Sequence, residues 1–389
     1  MWAKQGHQVT VVTSAPNHPD GIVYPGYKNR FFHNETVDGV TVVRVWTYLA
    51  ANEGFARRTI NYVSYMISAA MAVPRLPRSD VYVSTSPQFF CGLAGMLAAK
   101  MRRTPWVLEV RDLWPESIVT VGAMHRGMTI RFLEWLERLA YRKADRIVAV
   151  TDSFAPHIAE RCQGAAKIDV IKNGVDLSLF KRGADGGEIK RRFGLEGRFV
   201  AAYVGTHGMA HGLDTMLDAA ELLQNDPRFG FLMVGGGAEQ ERLAARAKTM
   251  GLDNLRIVGQ MPKSDMPAVW AATDASLILL RRSDAFEKVL PSKMFEAMAM
   301  ECPIILGVRG EAKALLDAAG AGVAITPESA EELVAAVVRL ADDKDLALKL
   351  GRQGGLFVRQ HFDRERLAER YIEVLQATVD ARTSRGGPD

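Results

Sequence analysis

The stretch FVAAYVGTHGMAHG, residues 199–212, indicates the fold of this chain. It begins as a nearly continuous apolar run with the length of a buried strand and continues as a glycine-rich loop that opens a helical pattern. A strand that is apolar on both faces must be covered by helices on both sides, which is the arrangement of a parallel sheet. The stretch therefore predicts an α/β unit with a loop at the carboxyl end of its strand.

Short apolar runs alternate with helical patterns along the whole chain. In the first half, strands are predicted at 7–13, 40–46, 80–85, 105–111 and 146–150, with helices around 56–73, 89–102 and 127–143. In the second half, strands are predicted at 199–205, 230–236, 255–260, 275–280, 303–308 and 322–326, with helices near 212–224, 237–250, 264–272, 292–300, 311–319 and 328–341. The pattern predicts two doubly wound, Rossmann-like α/β domains with right-handed crossovers.

The junction between the two domains is predicted at KNGVDLSLFKRG, residues 172–183, because its Asn-Gly turn ends the last strand of the first half. A further helix is expected from about Asp363 to Thr378, followed by a disordered tail over 381–389. The chain opens on WAKQGH, which has the pattern of a helix end closing at Gly6. The strand and phosphate-facing turn that precede such a helix in a doubly wound domain are not in the sequence, so we expect the first domain to start upstream.

Composition favours a globular protein of a reducing compartment. Of the 389 residues, 48% are hydrophobic and 24% charged, and the three cysteines form no CxxC pair, which argues against a disulfide framework or a zinc site. No apolar segment reaches the roughly 18 residues of a membrane span. Residues 1–175 carry 21 Lys+Arg and 14 Asp+Glu, whereas the remainder carries 28 and 31. The basic first half indicates an anionic partner, such as a membrane surface or a phosphate-bearing acceptor, or simply a solvated face.

The glycine loop GTHGMAHG excludes two nucleotide-binding classes. It is not the GxGxxG dinucleotide fingerprint, and the chain contains no GxxxxGK[ST] P-loop. The loop at Gly205, Thr206, His207 and Gly208 could still bring backbone amides to an anion at a helix start. A tight strand-to-helix turn without a ligand is the alternative.

A second segment, VLPSKMFEAMAM at 289–300, combines a helix start with a cation. Ser292 is expected as the N-cap, and Lys293 then lies in the first turn, where the helix dipole disfavours positive charge. Glu296 follows one turn later on the Ser292 face, about 6 Å along the helix. A nucleoside diphosphate fits this spacing, with phosphates at the helix start and a ribose at the carboxylate. An ordinary amphipathic helix with one exposed Glu and one Lys is the alternative.

Several segments together resemble one family. PSKMFEAMAMECPII resembles the donor-site motif of the retaining, nucleotide-sugar-dependent glycosyltransferases of the GT-B fold. Similar segments run along the chain: GHQVTVVT, ADRIVAVTDSF, IKNGVD, DAAELL, LMVGGG and LRIVGQMP. APNHPDG and RDLWPES resemble a bacterial subgroup that builds surface polysaccharides such as O-antigen and exopolysaccharide, including transferases of N-acetyl-L-fucosamine-like sugars.

The resemblance implies an acceptor-side domain over 1–176, truncated at its N-terminus, and a donor-binding domain over 177–362. It also implies a helix over 363–380 that crosses back to the first domain. Front-face substitution with retention is implied, without a protein nucleophile. The chain lacks a DxD motif, so no metal and no cofactor are expected.

The resemblance also implies donor-binding residues. Glu296 matches the second glutamate of the family's E-x7-E motif, which binds the ribose, whereas Lys288 stands at the first glutamate position and Glu287 one residue earlier. The usual Arg and Lys after the first strand of the donor domain fall near Thr206 and His211. We therefore expect the positive charge at the diphosphate to come from Lys288, Lys293 and one of Arg281 and Arg282. Gly259 and Gln260 are expected to contact the base.

On the acceptor side, we expect a cluster in the RDLWPES loop. Asp112, with Arg111, is the candidate for orienting or deprotonating an acceptor hydroxyl, while Trp114 could stack on a sugar and Glu116 could bind it. A surface turn with an Arg–Asp pair is the alternative. His18 in APNHPDG is a further acceptor candidate. The segment at 55–73, with Arg57 and Arg58 before an apolar run, could dock on anionic lipid or could be a core helix.

The expected activity is transfer of an N-acetylated sugar from a UDP-sugar, with retention, to a glycan on polyprenyl diphosphate. This acceptor would place the protein in the cytoplasm, at the inner face of the membrane. The alternatives are a nucleotide-sugar 2-epimerase of the same fold and an inactive truncated homologue.

Overall fold

The computed structural model describes residues 1–17, 21–50, 55–116, 119, 127–162, 164 and 167–385, without the side chains of Phe55 and Arg385. The chain divides into two compact units, one formed by Met1–Lys172 with Ala368–Asp389 and the other by Asn173–Leu367. The predicted boundaries at 176 and 362 lie a few residues from these divisions.

The first unit begins with a three-stranded sheet of order β1-β3-β2, made of β1 (Thr10–Ser14), β2 (Phe32–Val37) and β3 (Val40–Val45). Strand β1 is parallel to β3, whereas β2 and β3 form an antiparallel hairpin. The hairpin turns at Asp38 and Gly39, both with positive φ, as a two-residue hairpin turn requires. The sequence interpretation missed β2 because it treated the segment before residue 40 as a connection.

A parallel four-stranded sheet of order β4-β5-β6-β7 forms the rest of the first unit. Its strands are β4 (Tyr82–Thr85), β5 (Trp106–Val110), β6 (Arg146–Ala149) and β7 (Ile168–Val170). Its helices are α1 (Phe55–Ala72), α2 (Phe89–Arg102), α3 (Met128–Lys143) and α4 (Phe154–Cys162). The core between sheet and helices includes Trp106, Leu133, Ile147 and Ile158. Strand β7 was not predicted.

The second unit is a six-stranded parallel sheet of order β10-β9-β8-β11-β12-β13. Its strands are β8 (Phe199–Val204), β9 (Phe229–Val234), β10 (Leu255–Val258), β11 (Ala275–Leu279), β12 (Ile304–Gly307) and β13 (Gly322–Ala324). Its helices are α5 (Gly187–Phe193), α6 (Asp214–Leu222), α7 (Gln240–Thr249), α8 (Met266–Ala271), α9 (Lys293–Ala299), α10 (Glu311–Ala319), α11 (Ala330–Asp342) and α12 (Lys344–His361). Every residue of β9, β11 and β12 is buried, because separate hydrophobic clusters cover the two faces of the sheet. This confirms the prediction of a doubly wound α/β fold.

The strand order of this unit reverses at its centre. From β8 the chain moves outward through β9 to β10, and from β11 it moves outward through β12 to β13 on the other side. The crossover helices must therefore leave β8 and β11 toward opposite faces. In open α/β sheets, the carboxyl ends of two such strands form the crevice where ligands bind.

A last helix, α13, runs from Arg364 to Arg385. It starts close to the predicted Asp363 and continues past residue 381, so the predicted disorder is wrong for 381–385. Ala368 accepts a hydrogen bond of 2.9 Å from the Trp2 indole, and Arg382 pairs with Asp145 at 3.1 Å. These contacts tie the end of the chain to its beginning within the first unit.

Candidate functional site

The loop after β8 lies at the point where the strand order reverses. It leaves the strand at Gly205, whose φ of 145° excludes most side chains. The amide of Arg281, just beyond β11, donates to the carbonyl of Ala210 in this loop at 2.9 Å. The loops after β8 and β11 are thus in direct contact.

A second glycine loop, residues 235–237, holds this loop in place. A Cβ on Gly235 would lie 1.9 Å from the Gly205 carbonyl oxygen, and a Cβ on Gly237 would lie 2.5 Å from that of His207. The His207 amide donates to Gly236 at 2.9 Å, and the Glu239 amide donates to His207 at the same distance. These glycines serve close backbone packing, and the His207 amide is already engaged, so the expected cradle of free amides is not formed at His207.

The first residue of the helix that follows the loop is an aspartate. Asp214, the first residue of α6, is paired with Arg242 at 2.8 Å and with Arg246. Hydrogen bonds from Arg242 are the main cause of its low pKa, about 2. A carboxylate therefore already occupies the start of α6, where an anionic ligand was considered.

Lys293 points into the space beside the first glycine loop. Its ammonium nitrogen lies 3.6 Å from the centre of the Tyr203 ring, and a Cβ on Gly205 would be 3.2 Å from it. The nitrogen is buried and has no hydrogen-bond partner among the described residues. Burial lowers the pKa of Lys293 from 10.5 to about 7, against a smaller opposing effect of Glu296. A buried ammonium held only by an aromatic face lacks a counter-charge.

Two histidines adjoin the same space. His207 is fully buried, with 0% of its surface exposed, and neither ring nitrogen has a partner among the described residues. Its ring centre is 6.0 Å from that of Tyr203, and that of His211 is 5.8 Å away. Burial is the main cause that lowers the pKa of both histidines, and the charge of Lys293 is the second cause. The pKa of His211 falls to about 3. Both rings are therefore neutral at pH 7, so each carries a single N–H. His207 is free to donate it to an anion, whereas His211 hydrogen-bonds the backbone of Leu279.

Helix α9 and the residue before it carry three of the predicted donor residues, Ser292, Lys293 and Glu296. Ser292 precedes the helix in the N-cap position, as predicted, but it is exposed and its side chain makes no capping hydrogen bond. The predicted capping role of its hydroxyl is therefore wrong. The amides of Met294 and Phe295 donate to Pro291 and Ser292. Glu296 accepts a hydrogen bond of 3.4 Å from the Trp270 indole. Burial raises the pKa of Glu296, and this bond only partly offsets the effect.

The other predicted donor residues are spread along the carboxyl edge of the sheet. Gly259 and Gln260 follow β10, which β9 separates from β8. Lys288 ends a short 3-10 helix, Phe286–Lys288, and is half-buried. The side chains of Thr206, Arg281 and Arg282 are exposed, and Gly208 lies against the His211 ring. Sequence reasoning missed Tyr203 and Trp270, because both read as ordinary core aromatics.

In the first unit, the RDLWPES loop follows β5, and the structure describes it through Glu116. Arg111 pairs with Glu109 at 2.8 Å, and the Trp114 ring stacks on Phe89 with centres 4.9 Å apart. One face of Trp114 is thus already covered by protein. Asp112 lies beside it, and its carbonyl accepts from the Trp114 amide at 3.1 Å. His18 lies outside the described residues.

Glu116 belongs to an ionic network that the sequence did not reveal. His157 lies 3.4 Å from Glu116 through Nδ1 and 3.5 Å from Glu137 through Nε2. Arg161 pairs with Glu137 at 3.1 Å. Together with Glu134, these side chains line a cavity of about 250 Å³. The network joins α3 and α4, so its members are far apart in sequence.

The described residues contain neither a cluster of metal ligands nor a helix suited to crossing a membrane. No group of three or more His, Cys, Asp or Glu side chains in this part of the chain could hold a metal ion. None of the described helices combines the length and the apolar character that crossing a membrane demands.

Family models match both halves of the chain. Residues 1–174 match the glycosyl transferase 4-like domain, and residues 186–375 match glycosyl transferases group 1. Among curated relatives, WcaI of Escherichia coli (strain K12), named as a colanic acid biosynthesis glycosyl transferase, is 25% identical over 346 residues, covering 86% of this chain and 84% of that protein. WbjE of Pseudomonas aeruginosa, named as a glycosyltransferase, is 25% identical over 61% of this chain and 59% of its own length.

Solved structures show the same fold. HepE of Anabaena, crystallised in complex with UDP, superposes with a TM-score of 0.70 at 17% identity, over 95% of this chain and 100% of that one. Sucrose-phosphate synthase from Thermosynechococcus elongatus superposes with a TM-score of 0.74 at 18% identity, over 97% and 91%. These likenesses confirm the expected GT-B architecture. With a glycosyl transferase 4-like domain followed by a group 1 domain, the chain belongs to the two-domain GT-B glycosyltransferases.

Proposed function

We propose that this glycosyltransferase moves an N-acetylated sugar from a UDP-sugar to a glycan carried on polyprenyl diphosphate, in the synthesis of a cell-surface polysaccharide. The relative WcaI is named for colanic acid biosynthesis, and HepE was crystallised with UDP and with UDP-glucose. The first unit is assigned to the acceptor and the second to the donor. Retention and independence from metal remain part of the proposal.

The observation that carries the proposal is the ammonium group of Lys293, which is buried at the strand-order reversal without a hydrogen-bond partner in the described part of the chain. A diphosphate placed there would supply a counter-charge and would accept an N–H group from the neutral imidazole of His207. In this chain, Lys293 supplies the positive charge that the family places on an arginine and a lysine, and the neutral His207 adds a hydrogen-bond donor. Lys288, Arg281 and Arg282 are expected to act from the rim of the site.

Glu296 is proposed to bind the ribose. Its carboxylate lies one helical turn beyond Lys293, and the Trp270 indole donates to it from behind at 3.4 Å. A carboxylate accepts from two vicinal hydroxyls, which is the pattern that a ribose presents. Gly259 and Gln260 are proposed to contact the base through the backbone.

The chemistry follows from this placement. The bond between the anomeric carbon and the β-phosphate oxygen breaks, the acceptor oxygen bonds to the same face of that carbon, and the acceptor proton passes to the departing phosphate. Lys293 would stabilise the negative charge that develops on the leaving UDP. Asp112, with Arg111 beside it, is proposed to orient the acceptor hydroxyl, and Trp114 and Glu116 to bind the acceptor.

Binding of UDP tests the donor assignment. We expect Lys293→Met and Glu296→Ala each to weaken UDP binding at least about tenfold, since each removes one charged or bidentate contact. Glu241→Ala, on the exposed face of α7, is the matched control and should bind UDP as the unchanged protein does. Affinities measured by calorimetry that are equal in all four proteins would refute the assignment.

Incubation with UDP-N-acetylhexosamine separates the proposed activity from the epimerase of the same fold. Without acceptor, the transferase should leave the sugar configuration unchanged, and with a polyprenyl diphosphate-linked glycan it should release UDP. An epimer that forms in the absence of acceptor would contradict the transferase assignment. A panel of UDP-sugars scored by thermal stabilisation would then identify the sugar.

A further inference from the structure

Helix α3 exposes an apolar stripe. Met128 is 88% exposed, Phe132 56% and Trp135 54%, and Leu139 continues the stripe with partial exposure. At 100° per residue, these four side chains fall within an arc of about 60°. The rings of Phe132 and Trp135 stack with centres 5.9 Å apart. The opposite face of the helix is the core face, which includes Ile130, Leu133 and Ala140.

Positive charge flanks this stripe. The exposed charged residues of the helix beside it are Arg131, Arg138, Arg142 and Lys143. Of the two carboxylates on the helix, Glu137 is buried and paired with Arg161. The other, Glu134, lies 3.5 Å from Arg138. The outward face is therefore apolar along its centre, with three arginines along one edge and Lys143 on the other.

We propose that this face of α3 docks on an anionic phospholipid surface. Large exposed aromatic side chains next to arginines are the composition of helices that lie in the membrane interface: rings enter the acyl boundary while guanidinium groups stay at the phosphates. Charge complementarity selects an anionic surface, because this helix carries four of the 21 basic residues of a first half whose excess of positive charge is seven. A protein partner with an acidic, apolar surface is the competing occupant.

The other candidate surface in this unit is helix α1, which the sequence indicated. It also exposes apolar side chains, at Ile60, Ile67 and Met71. Its basic residues Arg57 and Arg58 lie at one end only, and over the described side chains, 56–72, no aromatic ring is among the strongly exposed apolar residues. Helix α3 combines rings and charges along the same face, so it is the better interfacial helix.

Docking of α3 on lipid would bring the proposed acceptor site next to the membrane surface. The inward side of the same helix contributes Ile130, Glu134 and Glu137 to the cavity of about 250 Å³ that Glu116 also lines. A glycan tethered to a lipid would then reach this cavity beside the helix that docks on the membrane surface. Only this link to the acceptor rests on the proposed function; the docking itself does not.

Vesicle binding by the purified full chain is the test. We expect the protein to sediment with phosphatidylcholine vesicles that contain phosphatidylglycerol and to remain in solution with phosphatidylcholine alone, and added salt should weaken the binding. Phe132→Ser/Trp135→Ser should lower the partition coefficient at least about tenfold. Arg131→Gln/Arg138→Gln should lower it about fivefold per charge removed. A blue shift of tryptophan emission on binding should be lost in Trp135→Phe.

Ile67→Ser/Met71→Ser on α1 is the matched control, since it removes a similar exposed apolar area and should bind vesicles like the unchanged protein. All variants should bind UDP normally, which separates failure of docking from failure of the donor site. Unchanged vesicle binding of Phe132→Ser/Trp135→Ser, or no preference of the unchanged protein for anionic vesicles, would overturn the proposal. If the unchanged protein were a dimer that does not bind vesicles, and Phe132→Ser/Trp135→Ser made it a monomer, the face would be assigned to contact with a second copy of the chain instead.

Discussion

At the scale of single residues, the charge on Lys293 is the feature from which most consequences follow. A lysine whose ammonium nitrogen is buried against Tyr203 prefers to be neutral, as its pKa of about 7 indicates. The folded protein without a ligand therefore holds a group that would be better solvated in the unfolded chain. Such a cost at a binding site is expected where the ligand supplies the compensating charge.

The first prediction concerns stability. Because the pKa of Lys293 is lower in the folded than in the unfolded chain, the unfolded chain binds more protons between about pH 7 and pH 10.5, and the free energy of unfolding rises with pH across this window. At pH 8, Lys293→Met should raise the free energy of unfolding by about 1–3 kcal/mol, as measured by denaturant titration. Lys313→Met, at an exposed salt bridge, should stay within about 0.5 kcal/mol of the unchanged protein. A clear loss of stability in Lys293→Met would contradict the assignment of a buried, unpaired ammonium.

The second prediction concerns pH. A bound diphosphate favours the charged form of Lys293, so binding should take up a proton above pH 7. The affinity for a UDP-sugar should then fall by up to about tenfold per pH unit as pH rises above 7. His207, His211, Tyr203 and Glu296 also face the ammonium group or lie within its field, but both histidines are already neutral in this range. Calorimetry in buffers of different ionisation enthalpy measures the proton directly, and Lys293→Met should show no uptake.

At the scale of elements, the two glycine loops show why a motif can be misinterpreted. Glycines after β8 and β9 are expected both where a ligand approaches the backbone and where two backbones approach each other. In this structure, Gly235 and Gly237 meet the carbonyl oxygens of Gly205 and His207. They hold the loop that carries His207, so the proposed anion would have to be bound by side chains.

The third prediction follows from this contact. Gly237 has a φ of 153°, and a Cβ there would lie 2.5 Å from a backbone oxygen. Gly237→Ala should lower the free energy of unfolding by about 2–4 kcal/mol and also weaken UDP binding, because His207 would be displaced. Gly236→Ala is the control: its Cβ would meet only the Gln240 side chain at 3.5 Å. If thermal unfolding found both variants equally stable, the close approach of the two loops would be refuted.

At the scale of the whole molecule, each unit has its own hydrophobic core, with separate clusters on the sheets of the first and the second unit. The fourth prediction is that calorimetry resolves two unfolding transitions. UDP at a hundredfold excess over its dissociation constant should raise the free energy of unfolding of the second unit by about 2.7 kcal/mol. That of the first unit should not change. Lys293→Met should shift the transition of the second unit and no other. A UDP-dependent shift of both transitions would contradict the assignment of the donor site to one unit.

The sequence by itself was sufficient for the alternation of strands and helices, the division into two α/β units and the family, because apolar periodicity, turn residues and the PSKMFEAMAMECPII motif are local. It also predicted Lys293, His207 and Glu296 as residues of one donor site, and this stays a prediction. It missed the hairpin of β2 and the short strand β7, whose patterns are weak. It assigned the wrong role to Ser292, because a capping bond depends on side-chain geometry that composition does not express.

Only the tertiary structure decided what those residues do together. The strand order brings the loops after β8 and β11 into contact, although about 70 residues separate them, and so places Lys293 against Tyr203 and beside His207. It also joins Glu116 to His157, and it turns Met128, Phe132 and Trp135 outward on α3. Burial, and the loss of hydrogen-bonding water that accompanies it, is the main cause of the lowered pKa of Lys293 and of His207. Burial is a property of the packed chain, so no local pattern in the sequence could reveal it.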